Sequence, residues 1–253
     1  MLRYRPDLRS DRNAVLTAVS NDGNELSYAP DFQNDEEVVK TALSNKGYLL
    51  ERYPTFNTNK EVVLAAVSNQ GSALQFASPD LQADREVVMA AITRDGTALR
   101  FASDALKNDK ELVLAAISKN TNVYEDLSAR MKMDEDVIIA ALKNKLTISS
   151  LPSNKILNNK VIVLAAIANG RRDIFQACSV LRGDKEVAMA AVKLDRFALS
   201  YASRDLQGDR EVVMAAISYD PFAIRFASPE LQAEFKKGGR TKRRRRTRRK
   251  IYR

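Results

Sequence analysis

The chain has no histidine, no tryptophan and one cysteine, Cys178. Without imidazole and with a single thiol, the usual zinc and haem ligand sets are excluded in practice. One cysteine cannot form an internal disulfide, which points to a reducing compartment. No apolar run approaches 18 residues, so no membrane span is expected. The opening Met1-Leu2-Arg3-Tyr4-Arg5-Pro6 lacks the apolar core of a secretory signal. Glycine is scarce, with nine residues, two of them at 238 and 239, and no phosphate-cradling loop is present. No nucleophile has a base partner, and acid pairs such as Asp84 and Glu86 recur along the chain as helix-end residues do. The expectation is a non-enzyme with no cofactor and no metal, cytoplasmic or nuclear and not secreted.

What the chain does have is one stretch written repeatedly. Asp84-Arg85-Glu86-Val87-Val88-Met89-Ala90-Ala91-Ile92 recurs from positions 11, 35, 59, 84, 109, 134, 159, 184 and 209. A constant step of 24 or 25 residues is the signature of a repeat architecture. Each copy opens on Asp or Asn, whose side chain caps a helix start, and an acid two places on complements the positive helix end. Val88, Ala91 and Ile92 fall on one helical face. The second alanine stands in every copy: Ala18, Ala42, Ala66, Ala91, Ala116, Ala141, Ala166, Ala191 and Ala216. Gly23, Gly47, Gly71 and Gly96 read as left-handed helix stops. A shorter apolar cluster follows, as in Ala73-Leu74-Gln75-Phe76-Ala77, and then Ser78-Pro79-Asp80-Leu81, a serine cap with proline in the first turn of a one-turn helix.

This unit, D-x-E-V-V-x-A-A-[IV]…G-x-A-L-x-[FY]-A-S, resembles a tandem repeat family of unknown function found in large DNA viruses, protists and some bacteria. The resemblance covers residues 11–233. It implies an α-helical repeat fold and carries over no activity and no site residues.

The expected fold is therefore all-α: an α-solenoid of nine two-helix repeats of about 25 residues, in which small alanines let neighbouring helices approach. Residues 1–10 are a partial repeat that caps the N-terminal end, since Pro6-Asp7-Leu8 stands where Pro79-Asp80-Leu81 does. Residues 11–233 are the repeats, and 234–253 a basic tail. In the second repeat Arg52 takes the aromatic position beside Tyr53 and Pro54, which predicts a shifted second helix. In residues 109–183, Asp126, Leu151 and Gln176 replace the aromatic, and Thr121, Leu146 and Arg171 replace the glycine. Two readings stand: drift, with packing kept by other residues, or a partner site on a varied surface. Cys178, in the apolar part of a second helix, reads as a small buried hydrophobe.

The residue after the cap is basic at Arg12, Lys60, Arg85, Lys110, Lys160, Lys185 and Arg210. Such a ladder either tracks phosphates or pairs with acids at its own or neighbouring helix starts. All 32 acids lie at or before Glu234, while 12 of the 41 basic residues lie from Lys236 onward. The remainder of the chain thus carries 29 basic residues against 32 acids.

Those 12 are Lys236, Lys237, Arg240, Lys242, Arg243, Arg244, Arg245, Arg246, Arg248, Arg249, Lys250 and Arg253. So dense a run of like charge, with no apolar periodicity, predicts a disordered segment hinged at Gly238-Gly239. Its readings are sequence-independent nucleic-acid binding through counterion release, a nuclear-import patch at Lys242–Arg246, an acidic protein or anionic lipid partner, or a solubilising end. With Tyr252 its one aromatic suited to stacking, base-specific readout is not expected. The Gly-Gly and basic ending, taken with the resemblance, adds the expectation of a viral protein packaged in a virion. The leading expectation is a non-catalytic scaffold whose repeats hold a protein partner and whose tail grips nucleic acid.

Overall fold

The computed structural model describes residues 1–236, and every regular element among them is an α- or 3-10 helix. The chain divides into two compact units, Met1–Leu146 and one that begins at Thr147. In the first lie the helices Arg12–Asn21, Glu36–Asn45, Lys60–Asn69, Arg85–Arg94, Lys110–Lys119 and Glu135–Lys143. In the second lie Lys160–Ala168, Lys185–Val192 and Arg210–Tyr219. Within each unit these helices pack on one another in chain order.

The cap residues act as the sequence predicts. Each of these helices follows an Asp or Asn in extended backbone whose side chain accepts from the first turn. Asp84 Oδ1, for example, accepts from the N–H groups of Glu86 at 2.9 Å and Val87 at 3.2 Å. The apolar face is one residue wider than the spacing alone suggests, since Val87, Val88, Ala91 and Ile92 are all fully buried. Burying each Val or Ile contributes roughly 1.5–3 kcal/mol, so an unpacked repeat has little to hold it.

The second helix of the repeat is mostly 3-10: Gly23–Tyr28, Gly47–Arg52, Gly71–Phe76, Gly96–Phe101 and Pro221–Phe226. Six residues close with i→i−3 bonds, as when Ala77 N–H donates to Leu74 O at 3.2 Å. The carbonyls left open at the end of Gly71–Phe76 are met by a glutamine from the next short helix. Gln82 Nε2 donates to Leu74, Gln75 and Ala77 carbonyls at 3.1–3.3 Å, Gln207 donates to those of Leu199, Ser200 and Ala202, and Gln232 to those of Arg225 and Ala227. The Ser-Pro segments form the expected third short helix, such as Pro79–Gln82, with Ser78 Oγ accepting from Leu81 N–H. Neighbouring repeats are also tied through backbone: Ser103 N–H donates to Gln82 O, and Ser228 N–H to Gln207 O. The second repeat shows no shift. Its helix runs Gly47–Arg52, like its neighbours, and Tyr53 supplies the buried ring from the cap position.

The four glycines are not left-handed stops. The residues closing the first helices are extended or nearly so, as at Asp22 (φ −145°) and Asp95 (φ −149°), and Gly170 is the glycine with positive φ among the described residues. The glycines serve a close approach instead. A Cβ on Gly71 would lie 2.5 Å from Ala91 O, and Gly23, Gly47 and Gly96 meet Ala42, Ala66 and Ala116 carbonyls in the same way. The glycine of one repeat thus faces the recurrent second alanine of the next. Asn45 reinforces the contact, accepting from Gly23 N–H at 3.0 Å and donating to Ser20 O at 3.1 Å.

Left-handed stops do occur where that glycine is missing. Lys145 (φ 70°) and Gly170 (φ 82°) close their helices, with Leu146 N–H reaching Ala141 O and Arg171 N–H reaching Ala166 O. Two of the three lost aromatics are replaced from nearby. Tyr124 and Phe175, two places and one place before the consensus position, are among the largest fully buried side chains. Tyr124 Oη donates to Lys132 O at 2.7 Å, and burial pushes the phenol up to about 12. Packing there is kept by other residues, as the drift reading requires.

Candidate nucleic-acid interface

Of the predicted site residues, Lys236 is described: it is exposed and lies in a helix that covers 229–236 among the described residues. Lys237, Arg240, Lys242, Arg243, Arg244, Arg245, Arg246, Arg248, Arg249, Lys250 and Arg253 lie outside the described residues. The folded part runs past the expected boundary at 234, because Glu234 belongs to that helix and accepts an ion pair from Arg210.

The basic ladder is paired. Six of the seven cations reach forward to the cap acid and second acid of the following repeat, and the seventh, Arg210, reaches forward to Glu234. Arg12 meets Asp35 at 2.8 Å and Glu37 at 2.6 Å; Lys60 meets Asp84 at 2.7 Å and Glu86 at 2.8 Å. Arg85 meets Asp109 and Glu111, and Lys110 meets Asp134 and Asp136. In the second compact unit Lys160 pairs with Asp184 and Glu186, and Lys185 with Asp209 and Glu211. Position 36 is Glu, and there Lys40, a turn later, reaches Glu61 at 2.6 Å. The hydrogen bond from Lys60 holds the Asp84 carboxyl below its ordinary range, and burial opposes it. This edge therefore presents neutralised charge and not a row of open cations.

A different surface concentrates cation and aromatic. Phe197 and Phe222 occupy the same place in successive repeats, at the start of the second helix, and are 42% and 74% exposed. In the other seven repeats that place holds Asn24, Tyr48, Ser72, Thr97, Asn122, Thr147 and Arg172, polar in all but the second, where Tyr48 is also exposed. Phe197 meets Phe226 edge to face at 6.1 Å. The Arg225 guanidinium lies 4.7 Å from the Phe226 centroid and 6.0 Å from that of Phe197. Arg100, the equivalent residue of an earlier repeat, pairs with Asp126, whereas Arg225 has no carboxylate partner among the described residues. Arg196 contacts Asp220 at 3.4 Å, and Asp220, 12% exposed, also accepts from Phe222 N–H at 3.0 Å. These residues line a cleft of about 90 Å³. Sequence reasoning passed over it by treating the aromatics as core. The usable signal was phenylalanine in two consecutive repeats at a place that is polar in six of the other seven.

Cys178 is fully buried, its thiol against Phe175 O at 3.4 Å, and burial pushes its pKa up. Among the described residues no cluster of three His, Cys, Asp or Glu could hold a metal, and no helix is long and apolar enough to cross a membrane.

The fold and its paired edge define an all-α protein of helical repeats packed in sequence. A family model, the domain of unknown function DUF4116, matches residues 8–56, 59–107, 84–132, 109–154 and 184–232. The chain belongs to that family. Successive matches from 59, 84 and 109 start 25 residues apart and overlap, so each spans two of the repeats described above. Neither the curated proteins nor the solved structures contain a match.

Proposed function

We propose that the chain is a non-catalytic binding scaffold, a nine-repeat solenoid that holds a protein partner and carries a C-terminal basic run that binds nucleic acid without reading sequence. The observation that supports this is the distribution of charge. The ladder cations are matched by acids of the following repeat, while Lys236 to Arg253 contain 12 basic residues and no acid. Phosphates are the partner best suited to so much unmatched positive charge, because every contact releases a counterion. Seven or eight contacts on duplex DNA give a log–log salt slope of roughly −6 to −7. The test is a salt titration of duplex binding by the full chain and by a variant with Arg243 to Arg246, Arg248 and Arg249 changed to Gln. The variant should lose most of that slope; an unchanged slope refutes the proposal. The five consecutive basic residues Lys242 to Arg246 favour a second reading as a nuclear-import signal. Loss of nuclear accumulation with nucleic-acid affinity intact would select it.

A further inference from the structure

We infer that the cleft formed by Phe197, Phe222, Phe226 and Arg225 takes unpaired nucleobases, making single strands the preferred form of nucleic acid. The inference rests on the basic-run reading and adds to it a contact on the folded body.

Three observations carry it. Two phenyl rings are exposed at a repeat position that is Asn, Ser, Thr or Arg in six of the other seven repeats, so the repeat packs without a ring there. A third ring, Phe226, is set against Phe197, and the guanidinium of Arg225 lies over both without a carboxylate to neutralise it. Arg196 sits at the cleft edge, held by Asp220, so the cleft as a whole is cationic. Flat apolar faces bordered by guanidinium groups are what a single strand uses: bases stack on the rings while the cations meet backbone phosphates. Duplex DNA keeps its bases stacked on one another and offers nothing to the rings. The same repeat leads through the helix over 229–236 to Lys236, where the phosphate-binding run begins. A protein partner would also accept exposed rings. The unmatched arginine and the adjoining basic run favour a polyanion that carries its own aromatic faces.

The test uses the unmodified full chain first. Anisotropy titrations compare a labelled oligothymidine, an abasic strand of equal length and charge, and the matching duplex, with inorganic polyphosphate as a competitor. Oligothymidine should bind about ten-fold or more tightly than the abasic strand. F197A/F222A should erase that preference while leaving duplex affinity and polyphosphate competition unchanged. F222A alone, at the more exposed ring, should give part of the loss. Equal affinity for thymidine and abasic strands overturns the inference, as does an F197A/F222A chain that keeps the preference; either result leaves the cleft to a protein partner. A variant that weakens polyphosphate binding equally overturns it too, because the rings would then be supporting structure. Changing Arg243 to Arg246 to Gln without loss of polyphosphate affinity refutes the basic-run reading, a result separate from the abasic comparison.

Discussion

Replacing Gly71 by alanine separates a glycine that is needed for space from one that is needed for its backbone angle. The added Cβ would lie 2.5 Å from Ala91 O and 3.1 Å from the Asp95 Cβ, whereas ordinary contact begins at 3.4 Å. Two repeats must part by about 1 Å along that line, in a place where both surfaces are main chain or held close to it. Overpacking of this kind costs about 1–3 kcal/mol, and the stiffer unfolded chain returns about 0.4–1 kcal/mol. A net loss of about 1–2 kcal/mol corresponds to a fall in Tm of about 2–8 °C for a protein of this size. Far-UV circular dichroism melts of the full chain, wild type against Gly71→Ala, measure it. Gly208→Ala is the control: its φ is −94°, its nearest neighbour atom stands at 3.4 Å, and the substitution should stabilise by about 0.4–1 kcal/mol. Gly71→Asn supplies the decisive comparison. At a left-handed position asparagine recovers much of what alanine loses; at a crowded one it recovers nothing. A neutral Gly71→Ala, or an asparagine variant clearly better than the alanine one, refutes the close-approach argument.

Other expectations follow from the same geometry. At Gly170, with φ 82° and no atom within 4 Å, the order reverses and asparagine should be tolerated better than alanine in the same melts. The cap aspartates Asp35, Asp84, Asp184 and Asp209 are held below their ordinary values, first by the cation of the preceding repeat. Their depressed folded pKa values contribute stability that is present above about pH 4 and lost as the pH falls further. A Tm-against-pH series should show that loss, and Asp84→Asn with Asp209→Asn should flatten it. Tyr124→Phe removes a buried hydrogen bond to Lys132 O and should lower stability by about 0.5–1.5 kcal/mol in urea titrations, with ring packing kept. Its raised folded pKa, about 12, means stability is full below pH 10 and lost as pH rises toward 12. Cys178 should react with a thiol reagent at the rate the protein opens and not at the rate of a free thiol; rapid labelling under native conditions would show that the site is exposed.

The repeat was legible because its signals are redundant. The cap, the apolar face and the second alanine recur, and Asp84, Val88 and Ala91 sit where that pattern puts them. The pairing of Lys60 with Asp84 and Glu86 was legible as one of two readings, from the matching number of acids. Gly71 was misread because a left-handed stop and a close approach both demand the absence of a Cβ, and one sequence does not distinguish them. The 3-10 form of Gly71–Phe76 was hidden for a related reason, since six residues are too few to tell a period of three from 3.6. The division after Leu146 had a trace in the sequence that went unused: position 135 is acidic and position 161 is valine, where most other repeats carry a cation and an acid. The cleft at Phe197 and Phe222 was overlooked because aromatic residues in a repeat were credited to packing before their place in the unit was compared.

The ladder contacts described above all point one way along the chain, from a cation to the acids of its successor. Such a directional grammar makes repeats interchangeable clauses. Excising residues 84–108 would bring Lys60 to Asp109 and Glu111 in place of Asp84 and Glu86, and Gly71 to Ala116 in place of Ala91, with neither left widowed. The length of this array can therefore be edited a whole clause at a time, which gives genes of this kind an inexpensive route to shorter and longer versions of the same surface.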